Sequence, residues 1–468
     1  MSPPSSRPPL GLLARGLKLV GRLTSPETRS GKAFARVERD LTGVASRLGE
    51  SPTWLRVSGG LMRRGFKLRI RRNALQDRVL RALHIPPASD VEALRDEVRR
   101  LSHELEALGS QFEAAALLHA LQERRINPYS YLRPLIERAS GVREPPISPT
   151  PHAELYTRGS MRLLRYRAPD RRFRTPILFA YSLINRWYIL DFLPGRSLIE
   201  SLTRAGFDVY AIDWGTAGPA EQNLTWADLL GDRLREAVRQ TLRASGSDEL
   251  TLYGYCMGGT LALAYASLYP QGIRNFVAQA TPVDFSHGGV YSLWIQPGHF
   301  DVDSLVDAYG NVPSRLLETG FLMAAPVQRL TRWLDVCRHI DDPDYVTTFL
   351  AMERWGADAV PFPGEVYRQY IKDCYQQNLF CQGRMEVGGE RVDLGRVRAS
   401  VLNIIAEHDT IAQPAMSEPL ARLTGSQDSQ TLRFPVGHIG LSASSKSPTK
   451  VWPVIAEWIA ARSRPLRS

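Results

Sequence analysis

From residue 154 onward, short apolar runs alternate with longer stretches in which apolar positions return every three or four residues. The runs PILFAYSL, FDVYAI, LTLYG, NFVAQA, SVLNIIA and TLRF predict strands at 176–183, 207–212, 250–254, 275–280, 400–406 and 431–434. Between them the periodicity predicts helices at 195–204, 226–244 and 258–267. Continuously apolar strands alternating with amphipathic helices are the pattern of a mostly parallel sheet covered on both faces, an α/β class. Residues 284–397 interrupt the alternation with a long insertion rich in aromatic and helix-forming residues, expected to act as a lid over a site.

Upstream the pattern differs. Residues 1–85 are rich in Arg, Ser, Gly and Pro, with short amphipathic pieces such as 11–23, and are expected to be a basic N-terminal arm of low order, partly disordered. At Pro86-Pro87 the character changes: Ser89 with Glu92 makes a capping-box signature, and Val91, Leu94, Val98, Leu101, Leu105, Leu108 and Phe112 recur at alternating spacings of three and four. That seam predicts a coiled-coil-like helix within 86–125, packing either on the chain's own catalytic domain or on another chain; the pattern leaves both open. A Pro-rich linker, 126–153, follows. The core is then read as 154–283 and 398–468, with the insertion 284–397 between them.

Charge sharpens this division. The first hundred residues carry 21 Lys+Arg against 9 Asp+Glu, and the remaining 368 carry 38 against 39. The excess positive charge is thus confined to the arm and the start of the heptad segment. It suits an anionic surface or an acidic partner, while no nucleic-acid-binding motif accompanies it, so nucleic acid is not expected. No run reaches the roughly 18 apolar residues of a membrane span, and no signal peptide is read at the N-terminus. The four cysteines, Cys256, Cys337, Cys374 and Cys381, show no metal-ligand spacing, so a cytoplasmic setting with free thiols and no bound metal is expected.

One cysteine stands out by its surroundings. In LTLYGYCMGGTLALAYASLYP a strand enters Gly254-Tyr255-Cys256-Met257-Gly258-Gly259 and a helix leaves it, which is the layout of a nucleophile elbow with a thiol in the serine's place. No Gly-x-Ser-x-Gly competes elsewhere in the chain. The expectation is that the flanking glycines permit the bend. A triad of this fold runs nucleophile, acid, histidine. Asp409 lies just past the predicted strand 400–406 and His438 just past 431–434. Cys256, Asp409 and His438 are therefore the candidate triad of an α/β-hydrolase fold, with Glu407 and His408 as near rivals and His287 and His299 as structural or surface groups. The backbone amides of Met257 and Ile184 are the candidate oxyanion-hole donors.

These residues sit in blocks that resemble the polyhydroxyalkanoate synthases, in particular the class III catalytic subunit: YSLINRWYILDF (181–192), GRSLIESLTRAGFDVYAIDWG (195–215), GYCMGGT, TPVDFS (281–286), DVDSLVDAYGNVP (301–313), YRQYIKDCYQQNLF (367–380) and GHIGLSASSK (437–446). The resemblance implies that Cys256 carries the growing polyester, with His438 as base and Asp409 as third member. It implies that the substrate is an (R)-3-hydroxyacyl-coenzyme A, 3-hydroxybutyryl-coenzyme A first, with no further cofactor. Transfer from one thioester to another then keeps the acyl group activated. It also implies a cytoplasmic enzyme at the surface of polymer granules. A thioesterase or other acyltransferase with the same triad, or a catalytically idle granule scaffold, are the alternatives. The segment HIPPASDVEALRDEVRRLSHELEAL (84–108) resembles the C-terminal part of the separate subunit with which class III enzymes work, so residues 91–112 are a candidate surface for a homodimer or a partner subunit.

Overall fold

The computed structural model describes residues 10–25, scattered positions between 27 and 36, and residues 50–82, 128–143, 146–324 and 326–466. The heptad segment expected at 86–125 lies outside the described residues. Among the described residues no helix is long and apolar enough to cross a membrane.

The described chain divides into two units. The larger takes in residues 50–67, 146–321 and 358–466 and is built on an eight-stranded sheet. Its strands are β1 (Ala153–Arg158), β2 (Met161–Tyr166), β3 (Ile177–Ala180), β4 (Val209–Asp213), β5 (Leu250–Tyr255), β6 (Ile273–Gln279), β7 (Ser400–Ala406) and β8 (Ser429–Phe434). They lie in the order β1-β2-β4-β3-β5-β6-β7-β8. β1 and β2 are antiparallel to each other and β2 to β4; every other neighbouring pair is parallel. The central strand β5 is buried along its whole length, as a parallel strand covered on both faces must be. β1 escapes the sequence reading because its alternation is polar: the strand AELYTR has exposed ends and only half-buried middle positions.

The predicted helices form at Leu198–Arg204, Arg235–Ser245 and Met257–Leu268, the second starting nine residues later than expected. Ser197 caps the first by accepting from the Glu200 amide at 2.9 Å, and Gly246, at φ 66°, closes the second in the left-handed conformation that glycine tolerates. The helix expected over 226–244 is broken by a π-helical turn at Leu229–Leu234.

The smaller unit gathers described residues of 1–49, 68–145 and 322–357. Helices Leu10–Thr24, Pro128–Ser140, Pro326–Arg338 and Pro343–Ala357 contribute to it. Ile136, Val336, Ile340, Val346, Phe349 and Leu350 form its core. Leu10–Thr24 approaches so closely that a Cβ on Gly21 would stand 2.6 Å from the Cys337 carbonyl oxygen, and Lys18 pairs with Asp341 at 2.7 Å. The arm expected to be of low order thus carries two helices, Leu10–Thr24 and Pro52–Ala82. The insertion read as one lid is mostly helical, with one short antiparallel strand pair at Glu386–Val387 and Glu390–Arg391, and is divided between the units: residues 322–357 go with the smaller and its flanks with the larger.

Candidate active site

The site is assembled at the C-terminal ends of three parallel strands of the larger unit. β5 ends at Tyr255, and Cys256 turns the chain directly into the helix Met257–Leu268. The residue that bears the bend is Cys256 itself, at φ 55° and ψ −132°, a conformation that costs a side-chain-bearing residue of order 1–3 kcal/mol and persists only where its surroundings impose it. The imposed contact is a hydrogen bond from the Cys256 amide to the Gln279 carbonyl at the end of β6, 2.9 Å.

The glycines therefore act differently from the expectation. They do not supply the bend; they allow the close packing that enforces it. A Cβ on Gly254 would lie 2.4 Å from the Gly259 Cα, one on Gly259 2.0 Å from the Thr281 Oγ1, and one on Gly258 2.3 Å from the Ala180 carbonyl oxygen.

Asp409 and His438 meet beside this elbow. Asp409 follows β7; its Oδ1 accepts from the amides of Ile411 and Ala412 at 2.8 and 2.9 Å, and its Oδ2 lies 2.6 Å from the His438 Nδ1. The Asp409 side chain is wholly buried, whereas His438 keeps 11 % side-chain exposure. Cys256 is near enough to act on the charge of the same ring, and since Nδ1 faces Asp409 the nitrogen left for the thiol is Nε2. Burial alone would lower the His438 pKa; its interactions with Cys256 and Asp409 outweigh it and push it up to about 10. The loops holding acid and base are laced together by backbone bonds, Glu407 to Phe434 at 2.9 Å and His408 to Val436 at 3.0 Å. Glu407 and His408 are themselves exposed.

Met257, first residue of its helix, has an amide that the helix cannot use. The Ile184 amide donates to the Ser182 hydroxyl in its own turn at 3.3 Å, and its carbonyl accepts from Val360 at 3.0 Å. The part of that loop that closes on the helix start is Ala180 and Tyr181. The Trp214 indole anchors it by donating to the Tyr181 carbonyl at 2.7 Å.

A family model described as the alpha/beta hydrolase fold matches residues 176–441. The chain is 39% identical over 319 residues to a poly(3-hydroxyalkanoate) polymerase subunit of Allochromatium vinosum, a match covering 67% of this chain and 89% of that one. It is 37% identical over 330 residues to the polymerase subunit of Haloferax mediterranei, covering 70% and 67%. With that of Synechocystis it shares 36% over 337 residues, covering 70% and 89%. The chain belongs to the poly(3-hydroxyalkanoate) polymerase family. It is an enzyme, an acyltransferase of the α/β-hydrolase superfamily.

Beside the residues the polymerase brings together stand several aromatic side chains that were not singled out in the sequence. The Tyr255 ring stacks on His438 with centroids 5.2 Å apart, and its hydroxyl donates to the His438 carbonyl at 2.8 Å. From the insertion, Tyr370 and Tyr375 meet edge to face at 5.4 Å, and Phe285 packs against both. Burial pushes both tyrosine hydroxyls well above their ordinary pKa, and the neighbouring tyrosine and cysteine side chains add to the effect, so both stay neutral. They sit on a π-helical turn, Tyr370–Gln376, of the kind that often marks a functional site. The block YRQYIKDCYQQNLF held the only signal, a cluster of tyrosines that periodicity alone assigns to a helix.

Proposed function

We propose that the enzyme polymerises (R)-3-hydroxyacyl-coenzyme A, with 3-hydroxybutyryl-coenzyme A as its first substrate, through a thioester on Cys256. The observation that carries the reading is the meeting of His438 Nδ1 with Asp409 Oδ2 at 2.6 Å beside the elbow that bears Cys256. His438 takes the thiol proton, and the thiolate attacks the substrate's thioester carbonyl. The Met257 amide receives the developing oxyanion together with Ile184, whose bond of 3.3 Å to Ser182 is long enough to yield to a charged acceptor. The carbon–sulfur bond to coenzyme A breaks, and coenzyme A leaves with the proton held on His438. The hydroxyl of a second unit then gives its proton to His438 and attacks the Cys256 thioester. An ester forms, and the proton returns to the freed cysteine.

A thiol rather than an alcohol suits this sequence because the acyl group stays activated between transfers. The aromatic wall of Phe285, Tyr370 and Tyr375 supports polymerisation over hydrolysis by keeping water from the thioester. Metal and further cofactor have no part in this scheme. We place the reaction in the cytoplasm, at the surface of the growing polymer granule.

Incubation of the purified chain with 3-hydroxybutyryl-coenzyme A tests the reading. Polymer with stoichiometric free coenzyme A supports it, provided that Cys256→Ala releases none while its melting temperature stays unchanged. Free acid with coenzyme A marks a thioesterase, and no coenzyme A marks an idle scaffold; either overturns it.

A further inference from the structure

β6 reads IRNFVAQ, and its last residue, Gln279, has no exposed surface. A buried carboxamide is costly unless both its ends are paired, and here both are. Oε1 accepts from the Tyr253 hydroxyl at 2.6 Å, and Nε2 donates to the Ser442 hydroxyl at 2.8 Å. Tyr253 and Ser442 are as fully buried as Gln279 itself. A methionine would fill nearly the same space without that desolvation cost, so what the carboxamide adds is direction.

Its two ends reach different halves of the catalytic machinery. Tyr253 lies on β5, three residues before Cys256, while Ser442 lies in the short helix Gly440–Ala443, four residues after His438. The main chain of the same glutamine makes a further link: its carbonyl accepts from the Cys256 amide at 2.9 Å and from the Thr281 hydroxyl at 3.3 Å. One residue thus pins the strained nucleophile through its backbone and the base's loop through its side chain. β7 stands between β6 and β8, the strand that delivers His438, so the hydrogen-bond ladder of the sheet cannot join Gln279 to that loop, whereas its long side chain does. Tyr255, two residues beyond Tyr253 and so on the same face of β5, forms a second rung by donating to the His438 carbonyl at 2.8 Å.

We propose that Gln279 is a positioning residue for acyl transfer, holding the base's loop in register with the nucleophile through the Tyr253–Gln279–Ser442 bridge. The proposal rests on the reading of Cys256 as nucleophile and His438 as its base. Gln279 takes no proton and carries no acyl group; it fixes the distance across which thiol and imidazole exchange a proton. Such a transfer needs heavy atoms about 2.6–3.2 Å apart, and an error of about 1 Å in a reacting geometry can cost about 10²-fold in rate. Loss of the bridge therefore falls on kcat and leaves KM in place.

Gln279→Met, Ser442→Ala and Thr251→Val in the full-length chain test this. The Thr251 hydroxyl accepts from the Asn275 side chain at 3.0 Å, a buried bond between the same two strands near their starts, so Thr251→Val is the control for lost stability alone. Initial rates of coenzyme A release from 3-hydroxybutyryl-coenzyme A should give a kcat at least about tenfold lower in both bridge variants, with KM within about twofold of the parent. The double variant should be no more than about twofold slower than the slower single one, because both changes cut one bridge. Thr251→Val should lose melting temperature and keep its kcat. Alkylation of Cys256 by iodoacetamide, mapped by mass spectrometry, should slow several-fold in both bridge variants, towards the rate in His438→Gln, and stay at the parent's rate in Thr251→Val. Alkylation needs no acyl chemistry, so it decides the role of Gln279 even if Cys256→Ala still releases coenzyme A, a result that would sink the acyl-transfer reading instead. If Gln279→Met does not fold, Ser442→Ala decides alone. Bridge variants that lose melting temperature as Thr251→Val does, with kcat and alkylation rate unchanged, overturn the proposal, and so do fully additive losses in kcat.

Discussion

Gly258→Ala puts the elbow's packing to a direct test. The added methyl would stand 2.3 Å from the Ala180 carbonyl oxygen and 2.5 Å from the Tyr181 carbonyl carbon. An unstrained contact needs about 3.5 Å, so the strand end and the helix start must part by about 1 Å. Both obstacles are backbone of the same loop, Ala180 and Tyr181, and no rotamer change relieves them. Overpacking of this kind costs about 1–3 kcal/mol. The larger effect falls on chemistry, because the same movement carries the Met257 amide away from the loop that holds Ile184, and an error of about 1 Å in a reacting geometry can cost about 10²-fold in rate. The control is Gly356→Ala, in the helix Pro343–Ala357, where a Cβ meets nothing within 4 Å; there the helix should gain about 0.5–1 kcal/mol. Initial rates of coenzyme A release at 25 °C and melting temperatures of both variants decide the matter. A Gly258→Ala enzyme within twofold of the parent in rate, with an unchanged melting temperature, would refute the account of the elbow.

Asp409→Asn, which keeps shape but removes the charge 2.6 Å from Nδ1, should slow elongation by about 10²–10⁴-fold and single-turnover acylation by less; equal losses by rapid quench would contradict that division. His438, raised from 6.5 to about 10, contributes stability that is fully present below pH about 6.5 and is lost as pH climbs towards about 10, so melting temperatures from pH 6 to 10 should fall more steeply for the parent than for His438→Gln. Tyr255→Phe strips the His438 carbonyl of its 2.8 Å donor while keeping the stack, at about 1–3 kcal/mol; Tyr255→Leu should cost more, measured by denaturant titration. Cys374→Ser buries a hydroxyl where the thiol is fully enclosed, lowering stability by about 1–3 kcal/mol with turnover kept, whereas the half-buried Cys381 should accept serine without a shift in the melting temperature.

The parts of the fold that were legible in the sequence are those where burial and pattern coincide. β5, β6 and β7 are apolar runs because both their faces are covered, and their lengths were read to within a residue or two. Family and fold followed from the elbow and the blocks around it. β1 stayed hidden because an exposed antiparallel strand has no apolar signature. The π-helical turns at Leu229–Leu234 and Tyr370–Gln376 were invisible for a different reason, since one extra residue in a turn leaves helical periodicity nearly intact. The glycines of the elbow were noticed with a mistaken role: composition says that a Cβ is absent, and only three-dimensional neighbours such as Ala180 and Thr281 say why. Tyr255 was legible as part of the motif, but its reach to the histidine spans 183 positions of the chain, a distance no local pattern crosses.

The nucleophile hangs from β5, buried at every position, and the base from β8, the edge strand, whose first three residues are exposed. Edge strands open at lower free energy than central ones. Gentle heating should therefore disarm the enzyme before it melts, by letting the histidine's loop drift from a cysteine that has not moved, and cooling should rearm it. A gain in stability spread evenly over the molecule would do little for the working temperature; a few tighter contacts along β8 would raise it.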